Sequence, residues 1–255
     1  MRTTTIMNLK GGTGKTVTAI NLAAILARKH DMHVLLCDCD SQANLTEFVA
    51  PKGCDLSDGM FELLTGNRAR ARRSRIDDVD FVPADEQLMS LDISAAGEGK
   101  ANPMALADFL EERADEYDRA VIDCPPAFSA AAMAALIAAD EVVIPMKLDA
   151  FGVRGMANLI AQVRNMQKVN PGLEIAGVLP TVVYPGTEQA KTESELRRAL
   201  EPVGVHVFHH IRRSEKVDQM TFRQAPLIET SPKSKATYEY KLFAWDLLKA
   251  EGGAG

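Results

Sequence analysis

The chain has 255 residues, with 29 Lys and Arg against 35 Asp and Glu and a formal net charge of -6. This length suits one α/β domain with a substantial core, and this charge excludes a protein that is polycationic throughout, so DNA binding would need a local basic patch. The four cysteines form no C-x-x-C pair, which argues against a zinc site. We see no signal peptide and no apolar run of membrane-spanning length, so we expect a cytoplasmic protein.

Strand-like and helix-like segments alternate along the chain, which is typical of a doubly wound, mostly parallel sheet with helices on both faces. Strands are predicted at residues 3–8, 33–37, 81–82, 120–122, 141–146, 175–183 and 205–209, and Pro180 predicts a short or kinked strand at 175–183. Helices are predicted at residues 17–28, 56–65, 103–116, 129–138, 153–169, 192–201, 215–223 and 235–249. We expect one domain over residues 1–250 and a flexible tail at 251–255.

Three predictions concern local packing. Asp55 or Ser57 is the expected N-cap of the helix at 56–65, and Gly66 is its expected stop. The last helix carries a stripe that we interpret as its core face, formed by Tyr238, Leu242, Trp245 and Leu248. The histidines at 209 and 210 lie in a predicted strand, and we interpret them as packing residues and not as metal ligands.

A glycine-rich turn joins the first predicted strand to the first helix. It consists of Lys10, Gly11, Gly12, Thr13, Gly14, Lys15 and Thr16, and Val17 follows. Glycines let backbone N–H groups curl around phosphate oxygens, and the N-terminus of the next helix favours an anion. We therefore predict that residues 11–17 bind a nucleotide, with the Lys15 charge on the β- and γ-phosphates and the Thr16 hydroxyl on Mg²⁺.

The turn departs from the general phosphate-loop pattern, because Leu9 stands where that pattern requires glycine and an additional lysine, Lys10, precedes the glycines. In this form, K-G-G-x-G-K-T, it resembles the phosphate loop of the ParA/MinD family of ATPases. The resemblance implies that the nucleotide is ATP and that Lys10 reaches across a dimer interface to the partner's phosphates. It also implies a homodimer that is stable with ATP and weak with ADP, since the γ-phosphate is the contact that differs.

Three aspartates follow predicted strands near this loop. The resemblance places Asp40 where the family positions the attacking water, with Ser41 in place of the common proline. Asp123 ends a buried strand before two prolines, which predicts a ligand that holds Mg²⁺ through water. Asp38 either supports Mg²⁺ through water or pairs with a lysine. As a second interpretation, Asp40 and Asn44 only cap a helix.

Later segments extend the resemblance over nearly the whole chain. The segment from Gly177 to Thr181 resembles the family's strand near the adenine base, and the segment from Pro226 to Ala236 resembles the one that closes over the nucleotide. These matches add Thr181 and Pro232 to the implied nucleotide contacts. A related redox ATPase, the nitrogenase iron protein, has a cysteine near the position of Cys124. It also needs a second cysteine upstream, which nothing between residues 54 and 124 supplies, so we disfavour a metal-cluster role.

The resemblance leaves the cargo open. In the ParA branch the ATP dimer holds nonspecific DNA and a ParB-like centromere-binding partner stimulates hydrolysis, whereas a C-terminal amphipathic helix holds MinD to the membrane. The chain stops soon after its last predicted helix, so no membrane binding is expected, and Lys10 lies too near the start for a preceding helix-turn-helix domain. We expect a nucleoid-associated partition ATPase with slow unstimulated hydrolysis. A positioning ATPase for a protein cargo and a MinD-like division regulator stay as alternatives.

Two groups of cations are candidates for DNA contact, because phosphate contacts need positive charge with only modest geometry. The first group consists of Arg212, Arg213, Lys216 and Arg223, although Glu215 and Asp218 lie among them and a mixed, solvated surface is the alternative. The second is the run of five arginines between Arg68 and Arg75, which contains no acid and is either a contact surface or a solvated, flexible loop.

Overall fold

The structure is a computed structural model, and it describes residues 1–94 and 101–252. Its strands are β1 (Arg2–Ile6), β2 (Val34–Asp38), β3 (Arg72–Arg73), β4 (Val79–Val82), β5 (Arg119–Asp123), β6 (Glu141–Lys147) and β7 (Glu174–Thr181). Within the described residues they form one sheet in the order β3-β4-β2-β5-β1-β6-β7. All neighbouring strands run parallel except β3 and β4, which are antiparallel.

The helices cover both faces of this sheet. They are α1 (Lys15–His30), α2 (Asn44–Val49), α3 (Met60–Leu64), α4 (Leu88–Ser94), α5 (Ala105–Glu111), α6 (Ala130–Ala138), α7 (Ala150–Met166), α8 (Thr187–Leu200), α9 (Glu215–Arg223), α10 (Leu227–Thr230) and α11 (Lys235–Gly252). One apolar cluster joins the sheet to α5, α6 and α7, and another joins it to α1 and α11. The predicted doubly wound fold is therefore confirmed. Among the described residues, no helix has the length and apolarity to cross a membrane.

The central strands bring three chain segments to one edge of the sheet. Strands β2 and β5 are buried at every position, as expected for apolar runs covered by helices on both faces. In their parallel register Asp123 lies beside Asp38 on one side and beside Ile6 on the other. The glycine-rich loop after β1 and the acidic segments that end β2 and β5 therefore meet at the carboxyl edge.

The predicted helix at 56–65 is much shorter than expected, because α3 begins only at Met60. Its first turn is closed by Glu62, whose carboxylate accepts the N–H of Gly59 at 2.8 Å. The Asp55 carboxylate instead accepts the Ser57 N–H at 3.0 Å, so neither predicted N-cap is correct. Gly66 follows the helix with a φ of 82°, which is the left-handed conformation expected of a stop glycine.

The predicted core face of the last helix is only partly correct, because Leu248 packs against the core but the two aromatic residues of the stripe do not. Tyr238 and Trp245 are 62% and 51% exposed, whereas α11 buries a neighbouring stripe formed by Ala236, Tyr240, Phe243, Ala244 and Leu247. That stripe packs in the same cluster as α1. Both stripes have helical spacing and each contains two aromatic residues, so the spacing alone does not identify the buried one.

Boundaries differ at several other elements. The predicted helices at 103–116, 153–169 and 192–201 are observed as α5, α7 and α8, and β3, α2, α4 and α10 were not predicted. The expected tail boundary at residue 251 falls inside α11, which continues to Gly252, and residues 253–255 lie outside the described residues.

No regular strand forms at 205–209, where Val207 makes a single bridge to Val178 on the outer edge of β7, and a second bridge joins Arg212 to Val183 just beyond β7. Strand β7 itself runs through Pro180 without a break. The proline affects pairing at the outer edge of β7, because it has no backbone N–H to donate to the segment at 205–209. The Arg197 guanidinium of α8 donates there instead, at 2.6 Å to the carbonyl of Val207 and 2.9 Å to that of Phe208.

Replacing Arg197 with Met should lower the free energy of unfolding by about 1–3 kcal/mol, because two carbonyls of this segment lose their donors. Urea denaturation of the nucleotide-free protein measures the change. The matched control is Arg198→Met, which removes an exposed arginine from the next position of α8. Equal stability of the two variants would show that water replaces the guanidinium at no cost.

Candidate nucleotide-binding site

The glycine-rich loop connects β1 to α1 in a conformation that requires glycine. Gly12 and Gly14 have φ values of 69° and 81°, which side chains strongly disfavour. Gly14 is also the N-cap of α1, so no side chain occupies the first backbone N–H groups of that helix. Those groups are suited to bind an anion. The loop is fixed from the side by Thr181 of β7, whose hydroxyl donates to the carbonyl of Thr13 at 2.7 Å.

Residues 11–17 line a cavity of about 510 Å³, together with Asp40, Gln42 and Pro126. The structure thus brings the predicted loop and the predicted water-positioning aspartate to one space. Pro126 is one of the two prolines that the sequence analysis placed after Asp123, whereas Gln42 was not singled out. A signal for Gln42 exists, since it follows Asp40 by two residues.

Lys15 is buried in this site. Burial lowers the pKa of its ammonium group, and the negative charges of Asp123 and Asp40 oppose that effect. The Nζ atom donates to the carbonyl of Lys10 at 3.4 Å, which curls the lysine over its own loop. A buried ammonium group beside backbone N–H donors is arranged to bind a multiply charged anion.

The predicted Mg²⁺ ligands lie in contact. The Thr16 hydroxyl donates to Oδ2 of Asp123 at 2.6 Å. The second oxygen, Oδ1 of Asp123, is buried and has no hydrogen-bond partner within the described part of the chain. Burial, followed by the charge of Asp38, raises the pKa of Asp123 well above its usual value. A carboxylate with an unsatisfied buried oxygen and a hydroxyl neighbour fits the oxygen-rich shell that Mg²⁺ prefers.

Asp38 holds the turn that follows β2. Its Oδ2 accepts the backbone N–H and the hydroxyl of Thr46 at 2.9 and 2.7 Å, and its Oδ1 accepts the N–H of Asp40 at 3.1 Å. Burial raises the pKa of Asp38 to about 6, although the bonds from Thr46 act in the opposite direction. No lysine pairs with Asp38 among the described ion pairs, so these contacts favour a positioning role.

Asp40 projects from this turn into the cavity. One of its oxygens accepts the Gln42 N–H at 3.0 Å. Helix α2 begins after Ala43, which has a positive φ and makes no side-chain cap. The interpretation of Asp40 and Asn44 as a simple helix cap is therefore wrong, and both side chains line the cavity beside the loop.

Lys10 lies at the opening of the loop with 39% of its side chain exposed. Its Nζ contacts both carboxylate oxygens of Asp149, at 2.7 and 2.9 Å, two residues beyond β6. The sequence analysis did not predict this ion pair. A role for Lys10 at another subunit's phosphate would therefore require exchange of Asp149 for that phosphate.

A second cavity, of about 350 Å³, lies on the other side of Gly12 and Gly14. Thr181 lines it, together with Lys147 and Arg212. Pro232 does not lie there. It lines a separate cavity with Arg28 and Lys29 at the far end of α1, because α10 and the following turn pack against that end.

The predicted DNA-contact group does not act as one patch. Arg212 is held by the buried carboxylate of Glu239, which its backbone N–H and guanidinium contact at 2.9 and 2.5 Å, although 40% of its side chain stays exposed. Arg213 pairs with Asp218 at 2.5 Å, and Lys216 donates to the side-chain oxygen of Gln219 at 3.0 Å. Arg223 is exposed at the end of α9.

The arginine run is ordered and is not the flexible loop that was one alternative. Arg72 and Arg73 form β3 against β4. Arg70 pairs with Asp58 at 3.2 Å and Arg73 with Asp80 at 3.6 Å, while Arg72 donates to the carbonyls of residues 55 and 58. Arg75 contacts Gln224 beyond α9. Much of this charge therefore stabilises the edge of the sheet.

Comparison with known proteins places this site in a family. A family model described as an AAA domain matches residues 1–175. The chromosome-partitioning ATPase Soj of Thermus thermophilus is 32% identical over 251 residues, which cover 97% of this chain and 96% of Soj. The chromosome partitioning protein ParA of Myxococcus xanthus is 29% identical over 251 residues, covering 96% and 87%.

Solved structures agree with this placement. Cobyrinic acid a,c-diamide synthase from Mycobacterium smegmatis, with a bound ATP analogue and magnesium, superposes with a TM-score of 0.83 at 25% identity, covering 100% of this chain and 97% of that one. Three observations agree on the family: the loop follows the first strand, it carries an extra lysine, and the similarity to Soj extends over the full chain. The chain belongs to the ParA/MinD family of P-loop ATPases.

Proposed function

We propose that this protein is an ATP-dependent dimerising switch for DNA partition, acting on a plasmid, a chromosome region or an integrative element from the nucleoid. The observation that carries the proposal is Lys10, which lies partly exposed at the mouth of a complete phosphate loop. The full-length similarity to a chromosome-partitioning ATPase supports the choice of cargo class.

In the proposed site, residues 11–17 bind the phosphates of ATP through backbone N–H groups, and the Lys15 ammonium compensates their charge. Thr16 and Asp123 hold Mg²⁺, which neutralises negative charge on the β- and γ-phosphates when it is bound. Asp123 acts through water, and Asp38 keeps the adjoining turn in place. Thr181 contacts the nucleotide beside Gly14, whereas the distance of Pro232 from the loop removes the support for its proposed contact.

Asp40 orients the attacking water in this proposal. Phosphoryl transfer depends on positioning and electrostatics more than on covalent chemistry, so a carboxylate near the γ-phosphate suffices. Asp40 is held by its own turn and by Asp38, which supports a fixed orientation. Hydrolysis is slow until an activating partner of the ParB-like, centromere-binding type completes or adjusts the site.

Lys10 couples the nucleotide to dimerisation. In the single chain its ammonium is bound by Asp149, and in the ATP dimer it contacts the partner's phosphates instead. The exchange of one anion for another keeps the lysine neutralised in both states. ADP lacks the γ-phosphate, so the ADP dimer is weak, because a ligand shifts an equilibrium only by its differential contacts.

Nonspecific DNA is the proposed track of the ATP dimer, through Arg213, Lys216 and Arg223. These three side chains reach solvent at or near α9, whereas the contacts of Arg212 with Glu239 favour a positioning role for that residue. Positioning of a protein cargo by the same switch is the second candidate, and the DNA measurement below separates the two.

Changing Lys15 to Ala should abolish ATP binding, because the buried positive charge in the loop is lost. Titration with a fluorescent ATP analogue in the presence of Mg²⁺ measures this affinity. Lys29→Ala, at the opposite end of α1, serves as the control and should bind like the parent protein. Normal affinity of the Lys15 variant would refute the phosphate-loop assignment.

Changing Asp40 to Ala should leave ATP binding and dimerisation intact and lower hydrolysis by at least about 10²-fold, as expected for loss of a group that positions the nucleophile. Phosphate release gives the rate, and light scattering gives the mass with ATP. The exposed Asp77, changed to Ala, is the control. Full turnover by the Asp40 variant would remove this residue from the mechanism.

Binding to a random-sequence DNA duplex should require ATP and fail with ADP, and it should weaken steeply as salt rises. Lys216→Ala and Arg223→Ala should each reduce the slope of log affinity against log salt by about one unit, with Arg198→Ala as the control. If neither nucleotide supports DNA binding while ATP still drives dimerisation, the protein-cargo function replaces DNA partition.

A further inference from the structure

A cluster of three potential metal ligands lies outside the nucleotide site. His209, His210 and Glu239 each offer one donor atom, and these atoms lie within 4.8 Å of one another. Across the residues that the structure describes, this is the one group of three such side chains. The two imidazole rings are stacked, with centroids 4.8 Å apart and an interplanar angle of 20°. His209 is exposed, so its expected packing role is wrong.

The stacking of the two rings requires an irregular backbone, because neighbouring residues of a strand point to opposite sides. The outer edge of β7 supplies that irregularity. The Phe208 N–H donates to the carbonyl of Val178 at 2.9 Å, and the Ile211 N–H donates to that of Pro180 at 2.8 Å. From Phe208 to Ile211 the chain advances three residues, while the paired segment advances only two, from Val178 to Pro180. One extra residue on one side is the definition of a bulge. Bulges redirect side chains, and this one contains both histidines.

Glu193 of α8 orients one of these rings. Its Oε2 contacts Nδ1 of His210 at 2.9 Å, and its Oε1 accepts from Arg197 at 2.8 Å. A carboxylate on one ring nitrogen is the usual outer-shell partner of a metal-binding histidine, since it fixes the tautomer and the ring orientation. The cluster therefore has a supporting contact besides its three donors.

Glu239 provides the third donor from α11. Its side chain is only 2% exposed, and Arg212 fixes its orientation through the backbone N–H and the guanidinium. The ion pair leaves room on the carboxylate, because two oxygens offer about four acceptor positions in total. It also offsets part of the negative charge, so the affinity for a cation should be moderate.

We propose that His209, His210 and Glu239 form a binding site for a divalent transition-metal ion of the zinc class. Two imidazoles and one carboxylate suit Zn²⁺, Co²⁺ or Ni²⁺, whereas Mg²⁺ prefers oxygen ligands throughout. The site is thereby chemically distinct from the magnesium ligands at Thr16 and Asp123. Glu193 is a positioning residue for this site through His210.

Cobalt binding to the full-length chain tests the proposal, with the visible absorption of Co²⁺ as the readout and displacement by Zn²⁺ as the confirmation. The protein is used without a histidine tag. It carries the Cys54→Ser substitution, because Cys54 is the one cysteine of the four that is not buried. Nucleotide and Mg²⁺ are omitted, so failure of the proposed ATP switch cannot affect the result. We expect one ion per chain.

His209→Gln and His210→Gln should each lower the affinity by at least about tenfold, and Glu193→Gln should lower it without removing a donor. His206→Gln is the matched control, because this exposed histidine precedes the cluster by three residues and lies outside it. Circular dichroism confirms that the variants fold. The proposal is overturned if the parent protein does not bind Co²⁺, or if the three variants bind it as tightly as His206→Gln does.

Discussion

Two carboxylates buried side by side at the carboxyl edge of the sheet are the constraint on which the site depends. Asp38 and Asp123 are register partners on β2 and β5, and both are buried. Burial raises both pKa values, and the charge of Asp38 adds to the effect at Asp123 while that of Asp40 adds to it at Asp38, so the charged forms are disfavoured until cations come close. The nearby Lys15 supplies one positive charge, but burial disfavours its charged form too.

This arrangement explains why the family couples a nucleotide to a metal ion. A phosphate alone would add negative charge to an acidic edge, and in the proposed site Mg²⁺ would offset that charge. Thr16 and Asp123 would then lie on the metal side and the loop on the phosphate side. The buried, unpartnered oxygen of Asp123 is the local sign of that requirement within the described residues.

Asp38 also holds neighbouring segments at the carboxyl edge of the sheet through its hydrogen bonds. Its bonds to Thr46 fix the start of α2, and the Thr46 hydroxyl accepts the N–H of Ala84 at 2.9 Å, just beyond β4. Its bond to the Asp40 N–H fixes the turn that carries the proposed water-positioning group. The acid that looked ambiguous in the sequence is therefore the one that holds three segments together.

Local signals in the sequence predicted the central strands and the loop, and the family resemblance predicted that Asp40 lies close to that loop. Apolar runs identify strands buried on both sides, and the glycine and lysine spacing has a direct stereochemical meaning. Predictions failed where two local sequence patterns are equally regular and only tertiary packing determines which one is buried. The outer stripe of α11 is as periodic as the buried one, and only packing on α1 decides between them. The position of Pro232 depends likewise on where α10 packs.

The segment from Ile211 to Ser214 lies between the phosphate loop and the surface that we propose for DNA, because it lines the cavity beside Gly12 and Gly14 and leads into α9. Arg212 borders the cavity beside Gly12 and Gly14, and it is bound to the buried Glu239 of α11. Two residues later, the Ser214 hydroxyl accepts the Lys216 N–H and caps α9. Hydrogen bonds thus tie this segment to α11 and to the start of α9, whereas Arg212 faces the phosphate loop across a cavity. The proposed ATP-gated DNA surface at Arg213, Lys216 and Arg223 would require a bound nucleotide to move this segment.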